Sequence, residues 1–222
     1  DANGSNARFY GPNGVAVDSH GGVFVADRNN YTIREIDPAG NVTTFAGLAG
    51  NSAYADGVGG NARFGYPSGV AIDSGGNIFV ADAGNNLIRK ITPDGNVTTY
   101  AGTYVPGGYA DGPAGSAVFN YPTAVAVDNQ GNVYVADDGN NLIRKITPAR
   151  IVSTLAGQAG IAGGRDGPGP DAQFNQPLGI AVDAMDNVYV ADAGNNAIRK
   201  ITATGFVVTL AGWSQGIQDG VG

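Results

Sequence analysis

A strict internal repeat of 55 residues runs through the chain and limits its fold more than any other feature. The residues that mark the period are Pro12, Pro67, Pro122 and Pro177; Asp27, Asp82, Asp137 and Asp192; and Gly47, Gly102, Gly157 and Gly212. The four copies follow one another without insertion or deletion as far as Gly212, whereas Asp219 stands two positions ahead of the place that the period from Asp166 predicts. A period of this length indicates one continuous stack of similar units.

Each repeat unit reads as four short strands joined by tight turns. In the second copy the apolar runs GVAID, NIFVA, LIRKIT and VTTYAG are separated by groups rich in glycine, asparagine, aspartate and proline. Runs of β-branched and aromatic residues bounded by such groups are the signal for strands and hairpins. We therefore predict that each copy is a four-stranded antiparallel meander followed by a long loop to the next copy.

One such meander would be marginal in water, and both faces of its strands are apolar. Neighbouring copies cover these faces when the sheets stack around an axis, as in a β-propeller. A linear β-solenoid is the alternative, but its coils are usually shorter and lack three hairpin turns per unit. The sequence therefore predicts an all-β fold, a β-propeller of four-stranded antiparallel blades. We expect one domain with blades at about 1–55, 56–110, 111–165 and 166–222.

The segment PSGVAIDSGGNIFVADAGNNLIRKI, which begins at Pro67, resembles the NHL repeat. A typical NHL blade reads PxGVAVD, then GNVYVAD, then an Asn-His-Leu triplet. The triplets here are Asn30-Tyr31-Thr32, Asn85-Asn86-Leu87, Asn140-Asn141-Leu142 and Asn195-Asn196-Ala197, so the asparagine is kept and the histidine is lost. Because NHL blades usually form six-bladed rings, three forms of closure stay open: four blades alone, two chains in an eight-bladed ring, or blades outside this sequence.

The net charge of −7 belongs mostly to the repeat, since the majority of the 19 acidic residues recur at matching positions. An aspartate present in every blade indicates a fixed turn more strongly than a bound cation. The acidity argues against nucleic acid as a partner, because phosphates require a basic surface. The chain has no cysteine, which excludes disulfides and cysteine-based metal or thiol chemistry.

Alternate connections of a meander lie at the same end of its sheet. The turn between the second and third strands therefore shares one face with the long interblade loop, and we call it the long-loop face. The two other hairpins of each copy share the opposite face, which we call the hairpin face. Long loops on a rigid scaffold are where binding residues concentrate, so the long-loop face is the candidate.

Positions that differ between copies are the better guide to function, because recurring positions are explained by blade architecture. On the long-loop face, the candidate binding residues of this kind are Arg28, Tyr31, Tyr54, Tyr104, Tyr109, Arg165 and Trp213. Arginine and aromatic residues are the types that anchor interfaces. Tyr54 and Tyr109 match each other across two copies, so packing within their own loops is the alternative for this pair.

No catalytic or metal-binding residue is predicted. Asp56-Gly57 loosely resembles a calcium loop but lacks the several carboxylates that calcium requires, which leaves structural calcium as an alternative to no cofactor. The resemblance implies that some relatives are metal-dependent lyases or lactonases, and a zinc site of that kind needs histidine ligands. The single histidine, His20, lies in the first hairpin of its copy, on the hairpin face. We therefore expect a protein that is not an enzyme.

Three functions follow, in order of preference. The first is a non-catalytic extracellular scaffold that binds a protein or glycan through the long-loop face. The second is a structural unit of a larger self-assembly, such as a homo-oligomer or polymer that completes a ring or array, and the third is a metal-dependent lyase or lactonase-like enzyme. Location at the cell surface or outside the cell is inferred from abundant Gly, Asn, Thr and Tyr with few lysines.

Three further features concern processing. No run approaches the ~18 apolar residues of a transmembrane helix, and no signal-peptide pattern begins the chain. Because the first residue is Asp1, we expect a processed or excised part of a longer protein. Glycosylation sequons stand at Asn3, Asn30, Asn41 and Asn96, although Asn-Val-Thr is also a good sequence for a turn that enters a strand.

Overall fold

The computed structural model describes residues 1–216 and contains four antiparallel sheets, one for each copy of the repeat. The first blade contains β1 (Ala2–Asn3), β2 (Pro12–Val17), β3 (Val23–Asp27), β4 (Thr32–Ile36) and β5 (Asn41–Gly47). The second contains β6 (Gly57–Val58), β7 (Pro67–Ile72), β8 (Ile78–Asp82), β9 (Leu87–Ile91) and β10 (Asn96–Ala101). The third contains β11 (Gly112–Pro113), β12 (Pro122–Val127), β13 (Val133–Asp137), β14 (Leu142–Ile146) and β15 (Ile151–Ala156). The fourth contains β16 (Gly167–Pro168), β17 (Pro177–Val182), β18 (Val188–Asp192), β19 (Ala197–Ile201) and β20 (Phe206–Gly212).

The helices of residues 1–216 are single 3₁₀ turns of three residues, and none is long and apolar enough to cross a membrane. Those between the second and third strands of the meanders are Arg28–Asn30, Ala83–Asn85, Asp138–Asn140 and Ala193–Asn195. Two more, Gly4–Asn6 and Gly59–Asn61, follow the first strands of blades 1 and 2.

The predicted propeller fold is confirmed, and the blades have one strand more than the sequence predicts. In the second blade the sheet order is β6-β10-β9-β8-β7, so the four-stranded meander carries β6 at its outer edge. This strand is only two residues long and pairs Gly57 with Val97 and Val58 with Asn96. It comes from the interblade loop, where no alternating apolar run predicts a strand. The same two-residue strand is present in each blade.

Neighbouring blades pack through apolar faces near the common axis. The first strands of successive meanders contact one another there, and a Cβ atom at Gly69 would lie only 2.7 Å from the Ala124 Cα. Glycine is required at this position because the two backbones approach so closely. Between the first two blades, Phe24 and Ile33 of one sheet pack against Ile78 and Val80 of the next.

The outward faces of the two end blades remain uncovered. Val15 of the first blade is 63% exposed, whereas Val70, its equivalent in the second, is 7% exposed. Ile198 of the fourth blade is 45% exposed, whereas Ile33, one of its equivalents, is fully buried. Within residues 1–216 the four blades therefore form an arc whose two ends do not cover each other.

A buried arginine lies in the middle of every blade, on the third strand of the meander. In the third blade, Arg144 contacts the buried Asp137 at 2.8 Å and the half-exposed Asp111 at 2.6 Å. The ring centroids of Tyr109 and Phe119 each lie 5.0 Å from its guanidinium carbon. A buried charge is tolerated only when it is paired and hydrogen-bonded. Here the carboxylates provide the ion pairs and hydrogen bonds, and the aromatic rings add cation–π contacts. The equivalent arginines are Arg34, Arg89 and Arg199.

Asp137→Asn tests this arrangement. Removing one partner of a buried ion pair costs about 3–5 kcal/mol, and here Arg144 would keep only the half-exposed Asp111 as a carboxylate partner. We expect a loss of that size in the free energy of unfolding, measured by urea denaturation. The control is Asp171→Asn, an exposed carboxylate outside the ion pairs, which should change stability by less than about 0.5 kcal/mol. Equal effects of the two substitutions would contradict the role given to the buried pair.

Candidate binding site at the long-loop face

The structure confirms that the interblade loops lie at the same end of the blades as the 3₁₀ turns of the meanders. In the second blade, Asn85 donates a hydrogen bond from Nδ2 to the Ala53 carbonyl at 2.9 Å, and a second one to the Asp82 carboxylate at 2.8 Å. Asparagine at this position thus ties the loop to the turn. This explains why it recurs in every copy while the histidine of the NHL triplet is dispensable.

The residue after the 3₁₀ turn that joins the second and third strands of each meander has a left-handed backbone conformation. In the second and third blades it is asparagine, and its side-chain oxygen accepts a backbone N–H from the start of the next blade: Asn86 from Tyr121 at 2.8 Å and Asn141 from Gln176 at 3.0 Å. The first blade has Tyr31 here, at a φ of 60°. Asparagine tolerates this conformation and tyrosine does not favour it, so Tyr31 replaces a residue that suits the backbone better.

A second left-handed position precedes the proline that begins each meander. It is occupied by Gly11 in the first copy and by Tyr66, Tyr121 and Gln176 in the others, with φ between 52° and 62°. For a residue with a side chain this conformation costs roughly 1–2 kcal/mol relative to glycine. Backbone strain of this kind concentrates at functional sites. Tyr66 and Tyr121 are therefore candidates for a functional role.

These tyrosines converge with two of the predicted site residues. The rings of Tyr31 and Tyr66 are 5.0 Å apart in an edge-to-face arrangement. The Arg28 guanidinium lies 5.5 Å from the Tyr66 ring centroid, and Arg28 also donates a hydrogen bond to the Tyr121 hydroxyl. We call Arg28, Tyr31, Tyr66 and Tyr121 the axial cluster. It joins three blades, because Arg28 and Tyr31 come from the first, Tyr66 from the second and Tyr121 from the third.

The other predicted residues do not join the axial cluster. Tyr54 and Tyr109 pack on the buried arginines of their own blades, with ring centroids 5.2 Å and 5.0 Å from the guanidinium carbons of Arg89 and Arg144. Packing within the blade, the alternative given above for this pair, therefore describes their position. Tyr104 is 61% exposed and stacks on Tyr54 at 5.0 Å. It also lines a pocket of about 280 Å³ beside Asn86.

Trp213 has the same structural role as Tyr54 and Tyr109, from a different place in the sequence. The fourth copy has Gly164 where those tyrosines stand, and a Cβ atom there would lie 2.3 Å from the Trp213 ring. That ring lies 5.6 Å from the Arg199 guanidinium and occupies the space of the missing tyrosine. Arg165 is exposed on the outer part of the fourth blade, and its carbonyl accepts a hydrogen bond from Arg199.

Sequence reasoning missed Tyr66 and Tyr121. The signal that could have found them is the contrast with Gly11 and Gln176 at the same repeat position, since a glycine there indicates a left-handed backbone.

The aspartates that recur at the loops are explained by the buried arginines. Asp56, which suggested a calcium loop, accepts hydrogen bonds from Arg89 at 2.6 Å and from Thr99 at 3.1 Å. Burial raises the pKa of Asp82 and Asp137 to about 6, while their arginine and asparagine partners act in the opposite direction. Within residues 1–216 no group of three or more histidine, aspartate or glutamate side chains is arranged to hold a metal ion. Asp219 lies outside the described residues.

Comparison with known proteins agrees with this architecture. The NHL repeat family matches residues 9–36, 64–91, 119–146 and 174–201. Teneurin-3 of Danio rerio is 29% identical over 228 residues, which cover 89% of this chain and 8% of that protein. The chain thus spans only a small part of this relative.

Two solved structures show the same fold. A structural genomics protein of unknown function from Bacteroides thetaiotaomicron has a TM-score of 0.73 and 27% identity, and the match covers 85% of this chain and 46% of that one. An auxiliary nutrient binding protein from Bacteroides ovatus has a TM-score of 0.69 and 20% identity, with 91% and 49% of the two chains covered.

The arc of propeller blades and the repeated asparagine and arginine contacts define a protein built from propeller repeats. Since the matched segments make up half of the chain, it belongs to the NHL repeat family.

A double-mutant cycle tests whether Trp213 occupies the space that a tyrosine side chain at position 164 would fill. Gly164→Tyr alone should destabilise the fold by about 1–3 kcal/mol, because the new side chain clashes with the Trp213 ring. Trp213→Gly alone should also destabilise it, because Arg199 loses an aromatic contact. The double substitution restores the tyrosine of the other blades, so its unfolding free energy, measured in urea, should return to near that of the parent. Additive losses would show that the two residues do not share one space.

Proposed function

We propose that this chain is a non-catalytic binding propeller that recognises a protein or glycan through the axial cluster. The observation that carries the proposal is the placement of Tyr31, Tyr66 and Tyr121 in left-handed backbone positions, where the other copies have asparagine in place of Tyr31 and glycine or glutamine in place of Tyr66 and Tyr121. Tyrosine is not favoured at these backbone positions, and the equivalent residues Asn86, Gly11 and Gln176 show that the fold accepts other side chains there. Selection for contact with a ligand accounts for it.

The chemistry of the axial cluster suits recognition. Tyrosine rings offer flat apolar area with a polar tip, on which a sugar ring or an apolar side chain can pack. Tyr66 and Tyr121 are 39% and 36% exposed, so their rings are accessible from solvent. Among residues 1–216, Arg28 forms no ion pair, in contrast to Arg34 of the same blade. Its charge is therefore available to a carboxylate or a hydroxyl of a ligand.

Two further arguments support the proposal. His20 lies in the hairpin that joins β2 to β3, away from the axial cluster, so the cluster has no histidine to act as a base or zinc ligand. The auxiliary nutrient binding protein that shares the fold has a binding role by its name. An extracellular location is part of the proposal, and it rests on the composition described above.

Substitutions taken from the other copies test the binding site without disturbing the blades. Arg28→Ala, Tyr31→Asn and Tyr66→Gly introduce the residues of Ala83, Asn86 and Gly11, which the same backbone already accepts. Binding of the parent to a glycan array and to a panel of immobilised extracellular proteins would first identify ligands. The triple variant should then lose at least about tenfold in affinity for each, which corresponds to 1.4 kcal/mol.

The matched control is Arg165→Ala, which introduces the residue of Ala55 and Ala110 on the outer part of the long-loop face. It should leave affinity unchanged, and both proteins should unfold within about 1 kcal/mol of the parent, since glycine removes strain but adds freedom to the unfolded chain. Equal binding by the parent and the triple variant would overturn the proposal. Equal loss in the control would move the site away from the axial cluster.

A second candidate function, a unit of a larger assembly, is favoured by the two uncovered end faces. Val15 and Val17 of the first blade are 63% and 61% exposed, and their equivalents in later blades are covered by the preceding blade. Ile198 and Leu210 of the fourth blade are 45% and 41% exposed, on the face that earlier blades bury against the following one. The two faces thus match as successive blades do, and the fourth blade of one copy can receive the first blade of another.

Light scattering with face-specific variants tests this assembly. The parent should associate with increasing concentration, whereas Val15→Asp with Val17→Asp, or Ile198→Asp alone, should give monomers. A mixture of the two variants should stop at a dimer, because each retains one intact face of opposite type. Val58→Asp, on the outer edge strand, is the control and should associate like the parent. A parent that stays monomeric at all concentrations would exclude the assembly.

A further inference from the structure

The cleft between the first two blades contains a pair of aromatic rings at the end that lies nearer the hairpin face. Phe24 and Phe45 of the first blade meet edge to face, with ring centroids 5.1 Å apart and an interplanar angle of 73°. The cleft between the second and third blades has the equivalent pair, Phe79 and Tyr100, at 5.0 Å and 70°. The repeat therefore provides the same aromatic arrangement twice within one molecule.

In the second cleft each ring of the pair carries a cation. The Lys90 ammonium lies 5.8 Å from the Phe79 centroid, and the Arg150 guanidinium lies 5.6 Å from the Tyr100 centroid. Arg150 also donates a hydrogen bond to the Tyr100 carbonyl at 2.8 Å. Cations at such distances are attracted by the negative face of the ring.

The first cleft lacks both cations. One period before Lys90 stands Glu35, and one period before Arg150 stands Gly95. Within residues 1–216, neither Phe24 nor Phe45 has a lysine or arginine over its ring. In the first cleft the lysine of the other three copies is thus replaced by a carboxylate, and the arginine that the third copy alone has at the Arg150 position is also missing.

The first cleft is open to a ligand. It has a volume of about 530 Å³ and is lined by Phe24, Phe45, Glu35, Ile72 and Pro93. Glu35 forms no ion pair among residues 1–216, and the basic residue in the lining is His20, without a lysine or arginine. The carboxylates of two hairpin turns, Asp18 and Asp73, also line it and add negative potential. A half-buried aromatic site with an unpaired carboxylate is a complement to an organic cation.

We infer that the first cleft binds an organic ammonium or guanidinium group, which lies on the Phe24–Phe45 pair and forms an ion pair with Glu35. The group can belong to a small amine or to a basic peptide side chain. This site is on the hairpin face and is independent of the axial cluster. In the second cleft the protein places its own ammonium and guanidinium groups on the equivalent rings, Phe79 and Tyr100.

Titration with n-butylammonium and agmatine, followed by NMR shifts of the Phe24 and Phe45 ring resonances, tests the inference. Both cations should saturate these shifts, and 1-butanol, the neutral analogue, should not. Glu35→Lys installs the lysine of the other three copies, so the blade should fold normally while the affinity for both cations falls at least tenfold. The tripeptide Gly-Arg-Gly is titrated in the same way. If it binds more tightly than n-butylammonium and agmatine, the ligand is a basic peptide side chain, and if it binds more weakly, the ligand is a small amine.

A gain-of-site variant completes the test. Lys90→Glu with Arg150→Gly gives the second cleft the residues of the first, so the stoichiometry of butylammonium binding should rise from one site to two, with new shifts at Phe79. The inference is overturned if the cations shift resonances over the whole surface without saturation. It is also overturned if Glu35→Lys binds them as tightly as the parent.

Discussion

The architecture depends on one buried arginine in each blade. Arg89 is fully buried and contacts two carboxylates, two loop carbonyls and the faces of two aromatic rings. Arg89 lies on the third strand of the meander, and its partners come from the interblade loop and from Asp82 at the end of the second strand. A short blade has little room for an apolar centre, and the guanidinium holds these segments in one arrangement because its donors point in fixed directions. The cost of burying the charge is offset only when every partner is present.

The first blade differs from the regular repeat more than the others do. It presents Arg28 and Tyr31 at the long-loop face and Glu35 at the hairpin face, where the later blades have alanine or aspartate, asparagine and lysine. None of these three residues contributes to the buried arginine network. The regular positions thus provide the scaffold, and the first blade, which has these three differences, contributes residues to both proposed sites.

Much of the fold followed from the periodic pattern, because alternating apolar runs and turn residues report directly on strands and hairpins. The outer strand Gly57–Val58 could not be predicted in this way, since two residues are too few to show an alternating apolar pattern. The site was predicted only in part. Arg28 and Tyr31 stood out as differences between copies, whereas Tyr66 and Tyr121 were not among the candidates, because the sequence does not show the contacts that bring them to Arg28. Trp213 could not be interpreted from its own repeat position, because it fills a space left by a glycine 49 residues earlier.

The arginine contacts also determine how cooperativity is distributed along the chain. Arg144 bonds to groups 7, 26, 33 and 34 residues away, all within its own repeat. Each blade therefore closes its arginine network locally, and its contacts with other blades are mainly those with its neighbours, with the bond from Arg28 to Tyr121 as a link from the first blade to the third. Such a chain behaves as a one-dimensional series of units, in which the end blades exchange their amide protons through openings that the middle blades do not share. Within residues 1–216 the first blade lies at one end of the arc and contributes residues to both proposed sites, so a ligand that bridges it to its neighbours would slow its amide exchange.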